Sequence, residues 1–453
     1  MVCRLTTALL LFLLVPSAFA AEAAAPISLS DPDGQELLLE ELSVRTAVHG
    51  MLALTEVEMR FRNPRDEVAE GRFSCVLPAG ATISRFAKEV NGVLMEGEIV
   101  ERMRANRIYD EILHQMRDPA LLEQDLGNRF SARVFPIEPR GLVRLVLSYT
   151  ELVPAIDGVR AHIVPLRGLP RVARFSFHAI LVPLPGEGDA EVTGLTGTRS
   201  MMASRVVSFT ESDWVPDDIE LDRLAASPGL RLLRAGDFYL ASYIPPPAPA
   251  ARSSARTSWL IYLDTSASSA AGALHRIAAL EELLASLPPG DSVEIVAFDQ
   301  TIARLFEGSA GEASRRIASL VRERKNLGGT DIGAAIADLV KRARDRRVLF
   351  VSDGVATQGT VELHDLRAAA AKIPAGLTLH AVVLGSVQNA ETLRALTRGH
   401  GRIVTVPFTE SMKLRAREAA SLLQLPPGES VAVRDAAAEW IYPAVLEDVR
   451  GGR

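Results

Sequence analysis

Cysteine occurs at only two of 453 positions, Cys3 and Cys75. Once an N-terminal leader is removed, a single thiol remains and no intramolecular disulfide can form, which excludes the small disulfide-stapled folds. Excess charge of one sign is also lacking. The 50 basic residues face 56 acidic ones, a formal net charge of −6, so no whole-chain field exists to hold nucleic acid, and none is expected as a partner. Lysine is confined to Lys88, Lys325, Lys341, Lys372 and Lys413, and the dominance of arginine reads as a GC-rich bacterial genome. After the leader, no stretch reaches the roughly 18 apolar residues of a membrane span, so no transmembrane helix is expected in the mature chain. The histidines never form His-Glu-x-x-His, and Gly399-His400-Gly401 lacks the third glycine of a phosphate cradle.

What is present is globular: 48% hydrophobic and 23% charged residues, with length for roughly three domains. Residues 1–20 carry Arg4, the apolar run Ala8 to Val15 and the small-x-small sequence Ala18-Phe19-Ala20. This pattern is that of a cleaved signal peptide, and its apolar core is far shorter than the roughly 20 residues that cross a bilayer. The protein is therefore expected to be exported to the periplasm, the outer surface or the medium, with its mature N-terminus at Ala21.

From about Ser43 to Val153 apolar residues alternate with period two, as in Val57, Met59 and Phe61, then Phe73, Cys75 and Leu77, then Leu145, Leu147 and Tyr149. That period predicts strands, and Asn91-Gly92 predicts a tight hairpin. Met103, Ala105, Ile108, Tyr109, Ile112, Leu113 and Met116 recur at helical spacing and predict one helix in this β domain. Strand-like runs continue to Ile244, and Pro245-Pro246-Pro247-Ala248-Pro249 marks a linker. Beyond it the period changes. The continuous apolar run Trp259 to Leu263 and the largely apolar strand-like runs Ser292 to Phe298, Val348 to Ser352 and Leu379 to Leu384 alternate with amphipathic helical stretches, the pattern of a parallel sheet covered on both faces. The expected organisation is a signal peptide at 1–20, a mainly-β domain with one helix at 30–153, and a linking β region at 154–250. Residues 426–453 are expected to join that β region, and 255–424 to form an α/β doubly wound, Rossmann-like domain.

Polar residues interrupt the α/β pattern where strands end: Asp264-Thr265-Ser266-Ala267-Ser268, Gly328-Gly329-Thr330-Asp331 and Ser352-Asp353-Gly354. Loops at the carboxyl ends of parallel strands converge at a topological switch point, so two carboxylates and three hydroxyls can meet there. These are hard oxygen donors without His or Cys, a set that selects Mg²⁺, with Mn²⁺ or Ca²⁺ as alternatives, over Zn²⁺. An aspartyl phosphatase would need a second Asp where Ser266 stands.

Asp264-x-Ser266-x-Ser268, Thr330 and Asp353 resemble the metal-ion-dependent adhesion site (MIDAS) of the von Willebrand factor type A family, over about Ser258 to Leu423. The resemblance implies that Ser266 and Ser268 bind the cation directly, that Thr330 does so when a ligand is bound, and that Asp264 and Asp353 bind directly or through water. It also implies a coordination position left for an acidic side chain of a partner. Upstream, Ala105, Tyr109, Leu121-Leu122-Glu123, Phe130, Val134, Pro136-Ile137 and Tyr149 resemble the domain shared by the vault protein and inter-alpha-trypsin inhibitor heavy chains. No counterpart of the heavy chains' cleavage motif for glycan attachment is found. The sequence thus points to an exported, non-enzymatic adhesion protein that engages an Asp or Glu of a protein partner through Mg²⁺. A structural or assembly component of an envelope complex, with self-association, is the alternative, and a metal-dependent hydrolase a distant one.

Overall fold

Alternation from Leu38 to Leu152 places one apolar face of each strand inward: Val44, Val57, Met59, Phe61, Phe73, Cys75, Leu145, Leu147 and Tyr149 are each no more than 2% exposed. Burying such side chains contributes about 1.5–3 kcal/mol apiece, which fixes the register of every strand that carries them. The computed structural model describes residues 25–78, 80–97, 99–101, 122–124, 128–153, 155–156, 159–184, 186–196, 199–203, 205–224, 229–235, 238–244, 256–270, 272–324, 328–342, 346–374, 376–397, 401–409, 411–424, 429–432 and 445–449. The expected signal peptide, the expected helix at 103–116 and the proline-rich linker lie outside these residues.

In the N-terminal β body, before residue 245, the described strands form four sheets, the smallest being the antiparallel pair Gly229–Ala235 and Phe238–Ile244. A seven-stranded sheet runs in the order Val206–Trp214, Val172–Val182, Leu38–His49, Leu52–Arg62, Leu142–Leu152, Thr82–Val90, Val93–Glu96. Its last two strands are joined by Asn91-Gly92 with φ of 52° and 79°, the double positive φ of the tight hairpin that the dipeptide predicts. A five-stranded sheet (Ile27–Ser30, Ala69–Val76, Arg129–Ile137, Leu122–Gln124, Ile99–Glu101) covers part of it. Another five-stranded sheet consists of Ala155–Ile156, Val159–Val164, Ile219–Leu224, Ala190–Thr196 and Arg199–Ala203. One continuous core reaches from Ile27 to Leu221. Val172–Val182 pairs in parallel with Leu38–His49, so strands from either side of residues 153–154 share a sheet and a core. Glu429–Ala432 pairs with Val445–Val449. Among the described residues the ladder partner of the tail is therefore the tail itself, not the β region of 154–250.

In the α/β domain the strands are β1 (Ser258–Asp264), β2 (Ser292–Phe298), β3 (Ile302–Ser309), β4 (Arg347–Val351), β5 (Leu379–Leu384) and β6 (Ile403–Val406). Its helices are α1 (Ala273–Ala285), α2 (Ala310–Arg324), α3 (Ile332–Arg342), α4 (Leu363–Ala370), α5 (Ala390–Thr397) and α6 (Met412–Gln424). The sheet order is β3-β2-β1-β4-β5-β6, parallel except for the antiparallel edge strand β3, so the sheet is mixed. The continuous apolar run in β1 is explained by burial on both faces. Trp259, Ile261 and Leu263 pack with α1, α2 and α6, whereas Leu260 and Tyr262 pack with α3, α4 and α5. The order reverses direction at β1 and β4, and the crevice outside their carboxyl ends is the switch point.

The β body and the α/β domain touch through polar side chains. In Ile219–Leu224, Ile219, Leu221 and Arg223 face the β core, while Glu220 and Asp222 face the opposite way. Those two carboxylates take Arg415 of α6, whose Nη2 donates to Glu220 Oε1 at 2.7 Å and also to Asp222. Elsewhere, Asn128 of the β body donates to the carbonyl of Ser386 at 2.7 Å and accepts from the Gln388 N–H at 2.9 Å, gripping the loop that follows β5.

Candidate functional site

Asp264 ends β1, 1% exposed. The chain turns immediately, so the Ser266 N–H donates back to Asp264 Oδ1 at 3.0 Å. Asp264 Oδ2 accepts the hydroxyl of Ser352, at the end of β4, at 2.7 Å. Ser266 Oγ lies 3.0 Å from Ser268 Oγ, and Ser268 Oγ donates to Asp353 Oδ2 at 3.1 Å. Four of the five sequence-derived donor residues, Asp264, Ser266, Ser268 and Asp353, are thus linked by one run of hydrogen bonds across two neighbouring strand ends, through the Ser266 N–H at its first step and through side-chain oxygens from Ser266 to Asp353.

Thr330, the fifth, approaches on the loop before α3. The Ala267 N–H donates to the Gly328 carbonyl at 3.0 Å, which joins that loop to the serine turn. Thr330 is 2% exposed; its N–H donates to Thr357 Oγ1 at 2.8 Å, and its carbonyl accepts from the N–H groups of Thr357 and Gln358. The next residue, Asp331, caps α3 by accepting the Ala334 N–H at 2.8 Å. Gly354, with φ 74°, lets the chain turn away from Asp353 where a Cβ would meet Leu393 Cγ at 2.8 Å.

Two carboxylates here lie in a buried setting. Burial first, and then the charge of Asp264, push Asp353 above the usual carboxylate range; the Val355 N–H, Arg276 and Ser268 pull the other way. A cation at this point would relieve that repulsion, and two carboxylates with the hydroxyls of Ser266 and Ser268 would suit a hard divalent ion, with Thr330 placed beside them through its backbone contacts. Among the described residues no group of three or more His, Cys, Asp or Glu side chains converges, and this set, with only two acids, is not of that kind.

Sequence reasoning missed two participants. Ser352, taken only as part of Ser-Asp-Gly, holds Asp264. Arg276, in α1, is 6% exposed and donates through Nη2 to the Asp264 main-chain carbonyl at 3.1 Å. Its signal was available: Arg276, Leu280 and Leu283 fall at i, i+4 and i+7, which puts a cation on the apolar face of the helix.

Comparison with known proteins matches residues 39–149 to the vault protein inter-alpha-trypsin (VIT) domain and residues 259–404 to the von Willebrand factor type A (VWA) domain. The chain carries a VIT domain followed by a VWA domain. It is homologous to von Willebrand factor A domain-containing protein 5A of Mus musculus, 26% identical over 136 residues that make up 29% of this chain and 17% of that protein. The match therefore spans about a sixth of the relative's length. Similar solved structures include the von Willebrand factor type A protein from Catenulispora acidiphila, with TM-score 0.33, 15% identity and coverage of 44% of this chain and 50% of that one. Another is proximal thread matrix protein 1 from the mussel byssus with a zinc-occupied MIDAS motif, with TM-score 0.28, 16% identity and coverage of 39% and 49%. A VWA domain points to protein–protein interaction or adhesion, and VIT and VWA domains are typically non-catalytic interaction modules. Among the described residues, no helix is long and apolar enough to cross a membrane.

Proposed function

We propose that the VWA domain binds an acidic group of a protein partner through a divalent cation held by Asp264, Ser266, Ser268, Thr330 and Asp353, and that the chain works outside the cytoplasm as an adhesion protein. The observation that carries this reading is the run of hydrogen bonds that links Asp264, Ser266, Ser268 and Asp353 at the switch point of the sheet, through the Ser266 N–H and then the two serine hydroxyls. When bound, the cation supplies a Lewis-acidic position for a carboxylate from outside.

The protein's part is to hold the donors. Ser352 and the Ser266 N–H fix the orientation of the Asp264 carboxylate, and the Val355 N–H at 2.9 Å fixes that of Asp353. Ser268 is exposed while Asp264 and Ser266 are buried, so the ligand set opens to solvent on one side only. Hard oxygen donors favour Mg²⁺, with Mn²⁺ or Ca²⁺ able to substitute. Export rests on the leader-like residues 1–20, and the β body serves as an accessory interaction module.

Affinity capture from the native organism with Mg²⁺ and with chelator tests the reading. A partner retained only with Mg²⁺, and lost with Asp264→Ala, supports adhesion. Retention of this chain alone supports assembly by self-association. Equal capture with and without the cation contradicts the metal-bridged mechanism.

A further inference from the structure

The residue beneath the site is a cation. Arg276 is buried at 6% exposure, and the charges it faces are those of Asp264 and Asp353. Its Nη2 is fixed on the Asp264 carbonyl at 3.1 Å, so the guanidinium is anchored at the end of β1 and cannot swing into water. The other carboxylates of the region are compensated separately. Asp299 pairs with Arg324 at 2.8 Å, and Asp331 sits on the N-terminus of α3, where the helix dipole favours a negative charge.

We propose that Arg276 is a built-in counter-cation that keeps the free site's affinity for a divalent ion low, so that the ion and the acidic group of the partner bind together. The inference rests on the metal-site reading above and adds a charge argument to it. Asp264, Asp353 and Arg276 together leave one net negative charge. A divalent ion alone turns that into one net positive charge in a partly buried setting, where the effective dielectric is about 20 rather than 80. A carboxylate from the partner brings the assembly to neutrality. Without Arg276 the ion alone would reach neutrality, and the partner would no longer be needed. Arg276 is thus a positioning residue that couples binding of the ion to binding of the partner without touching the partner.

Mn²⁺ binding to the purified full chain, read by electron paramagnetic resonance with and without excess acetate as the carboxylate probe, tests this. The wild type should bind Mn²⁺ weakly and bind it more tightly with acetate. Arg276→Gln should bind Mn²⁺ at least about tenfold more tightly without acetate and respond to acetate less. Arg276→Lys, which keeps the charge, should behave as the wild type, a rescue that a purely structural role would not give. Arg276→Met replaces the Gln variant if that one fails to fold. Wild-type Mn²⁺ affinity in a folded, uncharged variant overturns the proposal. Asp264→Ala separates the two readings: if it binds Mn²⁺ as the wild type does, the metal site itself is wrong; if it loses Mn²⁺ while the uncharged Arg276 variant gains nothing, only the counter-cation is wrong.

Discussion

Ser352 and Asp264 tie the ends of two neighbouring strands together: the Ser352 hydroxyl donates to Asp264 Oδ2 at 2.7 Å, with both residues 1% exposed. Ser352→Ala leaves a buried carboxylate oxygen one donor short, at a cost of about 1–3 kcal/mol. Denaturant unfolding followed by tryptophan fluorescence, to which buried Trp259 of β1 contributes, should show that loss, together with weaker Mn²⁺ binding. Unchanged values for both would remove Ser352 from the site's support.

Arg415 joins the domains by taking Glu220 and Asp222, with Arg415 8% and Glu220 2% exposed. Removing the guanidinium leaves buried carboxylates uncompensated, and a broken buried pair costs about 3–5 kcal/mol. Arg415→Met should therefore destabilise strongly in thermal unfolding. The double change with Glu220→Gln should recover part of the loss, because the stranded charge is then gone.

The same interface carries a pH dependence. Burial, then the charge of Glu220, push Asp222 up to about 6 from 3.8, against the pull of Arg415 and with Glu418 adding repulsion. Because its value is raised in the folded state, Asp222 contributes stability that is complete below pH 3.8 and is lost as the pH rises through about 6. The span is on the order of 2–3 kcal/mol. The difference in melting temperature between wild type and Asp222→Asn should change across pH 4 to 7 in that direction; a difference independent of pH would show that Asp222 does not titrate there.

Asn128 reaches across to the Ser386 carbonyl and the Gln388 N–H, and the next residue, Asn389, donates its N–H to the Asp353 carbonyl at 2.7 Å. Asn128→Ala should raise hydrogen exchange in residues 386–389 while leaving β4 and β5 protected. Exchange that stays at the wild-type rate in this loop would mean that the contact does not hold it.

The donor set was legible because the sequence breaks its own pattern. A run apolar throughout, Trp259 to Leu263, stops at Asp264-Thr265-Ser266, and the same break recurs at Ser352-Asp353. β3 and α2 went unread for the opposite reason. In β3 only Phe306 is fully buried, while Arg304 and Glu307 pair at its surface, so an edge strand leaves little period to read. In α2, Arg315, Arg316, Arg322 and Arg324 dilute the apolar stripe of Ala313, Ile317, Leu320 and Val321. That the regions on either side of residue 153 share a sheet is a non-local fact. The parallel pairing of Val172–Val182 with Leu38–His49 joins segments more than a hundred residues apart, and local periodicity carries no trace of it. For Arg276 the spacing with Leu280 and Leu283 signals burial, but its partner, the Asp264 carbonyl at the end of β1, lies in another element and is not visible in local spacing.

The most direct test of the account is titration calorimetry of the full chain with Mn²⁺ in excess acetate, wild type against Asp264→Ala, with circular dichroism confirming that both are folded. The account predicts saturable one-site binding in the wild type and none in the variant, because Asp264 is the carboxylate that Ser266 and Ser352 hold in place. Equal binding by the two proteins, or no binding by the wild type at millimolar Mn²⁺, would contradict it.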